Sequence, residues 1–209
     1  MDILNIIIVT LKISVLATFI CFIFSIMLSY ISIKFTKLTF FIDIITTLPL
    51  ALPPVITGYF LIFISNGNIA FEWIGGSFAC AIIALPLVYR TILITFNSID
   101  SSLINTSRIL GANKRNTFFY VVFPVIKTGI SSAIFLGFIR SISEFGATMI
   151  VSGNISGKTQ TLSTAIYTSI QNGNTSNLIQ LSSISIFLAV ITVIIFNLIR
   201  KKQNFDNFL

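Results

Sequence analysis

Long apolar runs separated by short polar segments are the dominant pattern of this 209-residue sequence. A helix needs about 20 residues to cross the hydrocarbon core of a bilayer, and five runs reach that length. They cover residues 13–33, 44–64, 77–99, 124–151 and 177–199, and the apolar stretch before Lys12 extends the first run. The pattern predicts an all-α, polytopic membrane helix bundle with five transmembrane helices, in which residues 1–209 form a single domain.

The most polar stretch, residues 100–122, predicts a helical hairpin outside the bilayer. Apolar Leu103, Ile104 and Ile109 recur as on one face of a short amphipathic helix. Gly111 supplies the turn, and a second helix follows. The alternative is a helix that lies on the lipid headgroups through its basic residues. A second polar stretch, residues 152–176, predicts a short helix at residues 161–171.

Composition agrees with a hydrocarbon environment. Apolar residues make up 55% of the chain, charged residues make up 9%, and the mean hydropathy is +0.99. A water-soluble chain of this size needs far more charge to cover its surface. The net charge of +7 does not indicate nucleic-acid binding, because the basic residues lie between the apolar runs and form no stripe.

The position of the basic residues predicts the orientation in the membrane. Only Lys158 falls clearly on one side. The basic residues on the other side are Lys34, Lys37, Arg108, Lys114, Arg115, Arg200, Lys201 and Lys202. Cytoplasmic loops carry the excess of Lys and Arg, so we expect the N-terminus outside and the C-terminus in the cytoplasm of a prokaryotic cell.

The residue types exclude several kinds of chemistry. The chain has no histidine, which removes imidazole base catalysis and the usual zinc sites. Cys21 and Cys80 lie inside apolar runs, where bilayer burial explains them without a disulfide or a metal. No phosphate-binding glycine loop with lysine is present. We therefore expect a chain that is not itself an enzyme and that binds no metal and no cofactor.

In the predicted hairpin, at about residues 101–122, Gly111 is followed thirteen residues later by Pro124. This pattern resembles the Glu-Ala-Ala loop of ATP-binding-cassette (ABC) importer permeases. Gly111 and Pro124 match the glycine and the proline of that loop in spacing, whereas Asn105-Thr106-Ser107 stands in place of Glu-Ala-Ala. In the family this loop docks into a cleft on the cytoplasmic ATPase. The resemblance implies an ATPase-coupling role for Asn105, Thr106, Ser107, Arg108, Gly111, Ala112 and Pro124.

Two further segments resemble the molybdate permeases of that superfamily. Residues 48–59 are similar to their proline-rich second helix. Residues 140–148 are similar to their Arg-x-x-Gly-Glu-Phe-Gly-Ala-Thr segment, with Ser143 in place of glycine. Because sulfate and tungstate permeases share the Glu-Phe-Gly-Ala part, this segment narrows the cargo to an oxyanion. Residues 153–162 also match, with Ser156 in place of proline.

The resemblance implies several partners. They are an ABC ATPase in two copies, which uses the ATP, a second copy of the permease, an extracytoplasmic oxyanion-binding protein, and the surrounding membrane lipid. It predicts ATP-driven molybdate import across the cytoplasmic membrane. The alternatives are a tungstate or sulfate/thiosulfate permease, or a secondary carrier that needs no ATPase and for which residues 103–122 would be dispensable.

Proline and charge inside the predicted spans indicate a translocation pathway. Pro49, Pro53 and Pro54 remove backbone donors and kink or break the second span, which is tolerated where protein or water covers the free carbonyls. The alternative is a kink that serves packing alone.

Ionisable residues in a span are costly and mark pathways or pairs. Arg140 and Glu144 lie four residues apart and can pair on one helix face, either for transport or only to neutralise each other. Arg90 has no acidic neighbour in its own helix. Its expected partner is Glu144, a phosphate headgroup or a passing anion.

Overall fold

The computed structural model describes residues 2–206 and the side chains of residues 2–201, so the side chain of Lys202 lies outside the described part. All regular structure in residues 2–206 is helical. A π-helical turn, Phe118–Val122, joins the helix that ends at Thr117 to the helix that begins at Phe123. The ten α-helices are α1 Ile3–Lys34, α2 Thr36–Ala51, α3 Pro54–Ile64, α4 Trp73–Asn97, α5 Ser101–Ile109, α6 Lys114–Thr117, α7 Phe123–Ile142, α8 Gly146–Ser152, α9 Leu162–Gln171 and α10 Thr175–Asp206.

The predicted all-α membrane class is confirmed. Four stretches are long and apolar enough to cross a bilayer. They are Ile3–Lys34, Trp73–Asn97, Lys114–Ile142 and Thr175–Lys201. The number becomes five if the bent pair α2 and α3 counts as one span. The short helix predicted at residues 161–171 is α9, whose N-cap Thr161 forms a capping box with Thr164.

The second predicted run is two helices rather than one. The chain turns by 116° between α2 and α3, and Pro49 stays inside α2. Leu52 and Pro53 are extended, with ψ of 143° and 132°. Each of them precedes a proline, and the following proline ring disfavours helical ψ. Pro54 then starts α3, where its missing N–H has no cost.

The fourth predicted run, residues 124–151, also divides, and this was not predicted. Helix α7 ends at Ile142, and α8 starts at Gly146. The carboxylate of Glu144 accepts a hydrogen bond from the backbone amide of Ala147 at 3.1 Å. It thereby satisfies a free donor of the first turn of α8. A Cβ at Gly146 would come within 3.3 Å of both Pro54 and Val55. The first residue of α8 therefore packs closely against the start of α3.

Helices α1, α4 and α7 pack through small side chains. Ala17 and Cys21 of α1, Ala84 of α4 and Ala133 of α7 belong to one buried cluster. Small residues allow helix backbones to approach closely in a membrane. Where α4 crosses α7, a Cβ on Gly129 would overlap the Thr95 hydroxyl. These three helices form the rigid centre against which the broken helices lie.

Candidate functional site

The predicted hairpin is present, but its second limb is not a separate helix. The hairpin turns at Gly111, which has φ +89°, a backbone conformation that favours glycine. From Lys114 the helix continues through the π-helical turn into α7, so Lys114–Ile142 is one span-length stretch. Pro124 lies just after the π-helical turn, in the first turn of α7, where a missing N–H is tolerated because the hydrogen-bond register is already shifted.

Hydroxyl and carboxylate side chains fix the shape of the hairpin. The Ser107 and Thr117 hydroxyls meet at 3.0 Å between the two limbs, and both side chains are buried. Asp100 caps α5 by accepting a hydrogen bond from the Ser102 amide at 2.8 Å. That hydrogen bond lowers the pKa of the Asp100 carboxyl. The cap is therefore present at neutral pH, and it is lost as the pH falls through the lowered pKa.

The tip of the hairpin is exposed and apolar. Ile109 is 84% and Leu110 81% exposed, next to the Gly111 turn. The predicted coupling residues Asn105, Thr106 and Arg108 are exposed as well, and Ala112 is half-buried. Ser107 alone among the three residues that replace Glu-Ala-Ala points inward. An apolar tip with a polar rim is the composition of a protein-docking surface.

The Arg140 and Glu144 side chains pair as predicted, although the helix has already ended between them. Their ion pair measures 2.7 Å, with 26% of the arginine side chain and 2% of the glutamate side chain exposed. The Ser163 hydroxyl, at the start of α9, donates to the backbone carbonyl of Glu144 at 2.8 Å. Glu144 thus links the end of α7 to the starts of α8 and α9, beside the start of α3.

Arg90 does not pair with Glu144. Its guanidinium donates to the Thr47 hydroxyl of α2 at 3.3 Å and is otherwise exposed. In the part of the chain with described side chains, the ion pairs are Arg140–Glu144 and Lys158–Glu72. Arg90 therefore presents an unneutralised cation beside α2, one of the two helices that meet at the proline break.

A polar network beside Arg90 was missed in the sequence. The Tyr89 hydroxyl donates to the Asp43 carboxylate at 2.8 Å, and the Ser32 hydroxyl lies 2.9 Å from the same tyrosine oxygen. Tyr89 and Ser32 are buried. The second apolar run starts at residue 44, so the sequence pattern places Asp43 in a loop. A single carboxylate within the apolar stretch that follows Lys37 was the signal.

The described residues contain no group of three His, Cys, Asp or Glu side chains that could hold a metal ion. The predicted charged groups inside the spans are instead the Arg140–Glu144 pair and, separate from it, the exposed Arg90. A guanidinium group offers several donors to an anion.

Comparison with known proteins identifies the family. Residues 21–202 match the binding-protein-dependent transport system inner membrane component family. The chain belongs to this family. The predicted resemblance to ABC importer permeases is thereby confirmed, and this permease is an inner membrane protein. Membrane subunits of this kind work with an ATPase and a binding protein.

Two relatives and one solved structure place the permease more closely. It is 34% identical over 206 residues, 90% of each chain, to the molybdenum transport system permease protein of Escherichia coli K12. It is 29% identical over 143 residues to the sulfate transport system permease protein of Salmonella typhimurium, covering 62% of this chain and 52% of that relative. Its fold matches a chain of an amino acid ABC transporter crystallised with histidines, with a TM-score of 0.72, 16% identity, and coverage of 95% and 92%.

Proposed function

We propose that this permease translocates molybdate across the cytoplasmic membrane as part of an ATP-driven importer. The observation that carries the proposal is the similarity to the Escherichia coli molybdenum permease, which extends over 90% of both chains. The similarity to the sulfate permease is lower and covers 62% of this chain. Sulfate and tungstate are the competing cargoes.

The complex that we propose contains two permease copies, two ATPase subunits and an extracytoplasmic binding protein. The ATP is used by the ATPase subunits, and the permease binds no cofactor. The N-terminus lies outside and the C-terminus in the cytoplasm, because all the clustered basic residues then face inward. Broad exposed apolar surface on α2 and α3 supports contact of this region with a second copy or with lipid.

The hairpin tip is the proposed ATPase contact. Leu110 and Ile109 expose apolar surface that a cleft on the ATPase covers, and the Gly111 turn sets the shape of the tip. ATP binding brings the two ATPases together and pulls the two hairpins with them, which opens the proposed translocation pathway to the outside. Hydrolysis resets the pathway.

The proposed pathway passes the break between α2 and α3. Pro53 and Pro54 have no N–H to donate to the carbonyls of the preceding turn, and the Arg140–Glu144 pair lies at the adjoining start of α8. Arg90 supplies a positive charge on the cytoplasmic side of the break, where its guanidinium donates to the Thr47 hydroxyl. A single weakly held cation attracts a dianion and still permits its release, as an importer requires.

The test is uptake of labelled molybdate into proteoliposomes that contain the permease, its ATPase and its binding protein. We expect uptake that requires ATP and that excess tungstate, but not sulfate, competes away. Competition by sulfate would assign the permease to sulfate import. Equal uptake without ATP, or by the permease alone, would establish a secondary carrier and contradict the importer assignment.

A further inference from the structure

An apolar groove of about 660 Å³ lies between α1, α7 and α10. Val15 and Phe19 of α1 form one wall, and Phe138 of α7 contributes to the opposite side. The rings of Phe135 and Phe196 stack with centroids 3.8 Å apart at an interplanar angle of 9°, which joins α7 to α10 beneath the groove. Helix α10 is the least buried of the four candidate spans in the described residues, so the groove borders the surroundings of the bundle, which inside a membrane are hydrocarbon.

The length of the groove matches one leaflet of the bilayer. Along α10 it extends from Leu188 to Ile199, which is about 16 Å at the helical rise of about 1.5 Å per residue. The hydrocarbon core of a bilayer is about 30 Å thick, so one leaflet contributes about half of that. A groove of this length accommodates an acyl chain from one side of the membrane.

Two basic residues continue the rows of side chains that line the groove. Lys127, Ser131 and Phe135 follow at intervals of four residues on α7, and Thr192, Phe196 and Arg200 do so on α10. Residues four apart lie on one helix face. Ser131, Phe135, Thr192 and Phe196 all line the groove, so Lys127 and Arg200 lie on the same faces. Lys127 is one turn beyond Ser131, and Arg200 directly follows Ile199, the last residue of α10 that lines the groove.

The two cations lie at the same end of the groove. Helices α7 and α10 are antiparallel. The end of α7 contacts α9 through Glu144 and Ser163, and α9 packs with Leu181 from the first half of α10. Measured along the helix axes, Lys127 lies about 12 Å from Phe135 and Arg200 about 6 Å from Phe196, both toward the cytoplasmic end. Because side chains tilt toward their helix N-terminus, Lys127 leans toward the cytoplasmic end and Arg200 leans away from it.

Neither cation has a carboxylate partner among the side chains that the structure describes, where the ion pairs are those of Arg140 and Lys158. Arg200 is exposed and Lys127 is half-buried. Two unpaired cations at the inner end of an apolar groove match an amphiphile with a negative head and a hydrocarbon tail.

We propose that this groove binds an anionic phospholipid of the cytoplasmic leaflet, with one acyl chain along Phe138 and Phe196 and its phosphate between Lys127 and Arg200. Arg offers several donors to phosphate oxygens, and Lys near a membrane surface adds electrostatic attraction. The site is separate from the proposed transport pathway. It requires only that the basic end of α10 faces the cytoplasm.

The test uses tryptophan quenching in proteoliposomes of the full-length chain. Trp73, the only tryptophan, is changed to Phe, and Phe138→Trp places the reporter in the groove. Brominated phosphatidylglycerol and brominated phosphatidylcholine are then compared as quenchers. We expect phosphatidylglycerol to be preferred by up to about thirtyfold, from two cations near the surface. Lys127→Gln with Arg200→Gln should bring the preference close to one.

The control variant Lys34→Gln with Lys37→Gln removes the same charge near the same membrane surface but away from the groove, and it should keep the preference. Equal quenching by both lipids in the parent reporter overturns the proposal. Absence of quenching by either lipid also overturns it, because a protein segment or a second copy then fills the groove.

Native mass spectrometry of the unaltered chain gives a second readout that needs no reporter. One phosphatidylglycerol should remain bound, and the Lys127→Gln, Arg200→Gln variant should lose it. Retention of the lipid by that variant contradicts the assignment of the two cations.

Discussion

Unequal burial of the Arg140–Glu144 pair predicts unequal effects of its two halves. Arg140→Gln leaves a carboxylate that is almost fully buried without its cation, whereas Glu144→Gln leaves an arginine that is one-quarter exposed. Removing one partner of a buried pair costs about 3–5 kcal/mol. We expect Arg140→Gln to cost about 3 kcal/mol. Glu144→Gln should cost less, because water screens the remaining arginine. The double variant should recover part of the loss.

The native cysteines provide the measurement. Cys21 and Cys80 are buried, so a thiol-reactive fluorescent dye reports unfolding as the temperature rises. The single and double variants form a thermodynamic cycle. An equal shift in midpoint for the two single variants would show that the difference in burial is unimportant.

The Tyr89 hydroxyl predicts a second residue-scale effect. Tyr89→Phe removes the donor to the half-buried Asp43 carboxylate and leaves the buried Ser32 hydroxyl without its partner. An unsatisfied buried polar group costs about 1–3 kcal/mol. The same dye assay should show a clear loss for Tyr89→Phe and a smaller one for Ser32→Ala, which keeps the tyrosine–aspartate bond. The reverse order would contradict the network as described.

At the scale of elements, two glycines form a matched pair for testing the hairpin. Gly111 and Gly173 both have positive φ, and a Cβ at either position meets no atom within 4 Å. Their amides donate to the carbonyls of Arg108 and Ile170 respectively. Proline at either position removes that bond and cannot adopt the backbone angle. The two changes are therefore equivalent locally but lie at opposite ends of the molecule.

We expect Gly111→Pro to abolish co-purification with the ATPase, because it disrupts the turn that presents Leu110. Gly173→Pro should retain co-purification, and both variants should insert into the membrane in normal amounts. Normal ATPase binding by Gly111→Pro would remove the hairpin from the proposed interface.

The elements also show what the sequence could predict. Lys34 marked the end of α1 correctly, and Gly111 marked the hairpin turn, because charge and backbone preference act locally. The break after Ile142 has no such local signal. It depends on the capping carboxylate of Glu144 and on the contact of Gly146 with Pro54, which is distant in sequence. Arg90 likewise meets Thr47 rather than Glu144, and no pattern within α4 specifies which helix lies beside it.

At the scale of the whole molecule, the orientation predicts which loops are reached from outside. The native thiols are buried, so single introduced cysteines dominate labelling by a maleimide that does not cross membranes. We expect Asn172→Cys, between α9 and α10, to be labelled in spheroplasts with an intact inner membrane. Asn113→Cys, in the hairpin, should be labelled only after the membrane is opened. The opposite result would invert the proposed topology.

The continuity of Lys114 with Ile142 has a mechanical consequence. A helical stretch of 29 residues is about 43 Å long, and it has no hinge other than one π-helical turn. It therefore links the hairpin directly to the Arg140 end of α7, and a tilt of the stretch moves both of its ends. A tilt of about 10° moves one end relative to the other by about 7 Å, roughly the rise of five helical residues. If the hairpin tip contacts the ATPase, as proposed, a displacement there is carried along the whole of α7 to the break between α7 and α8.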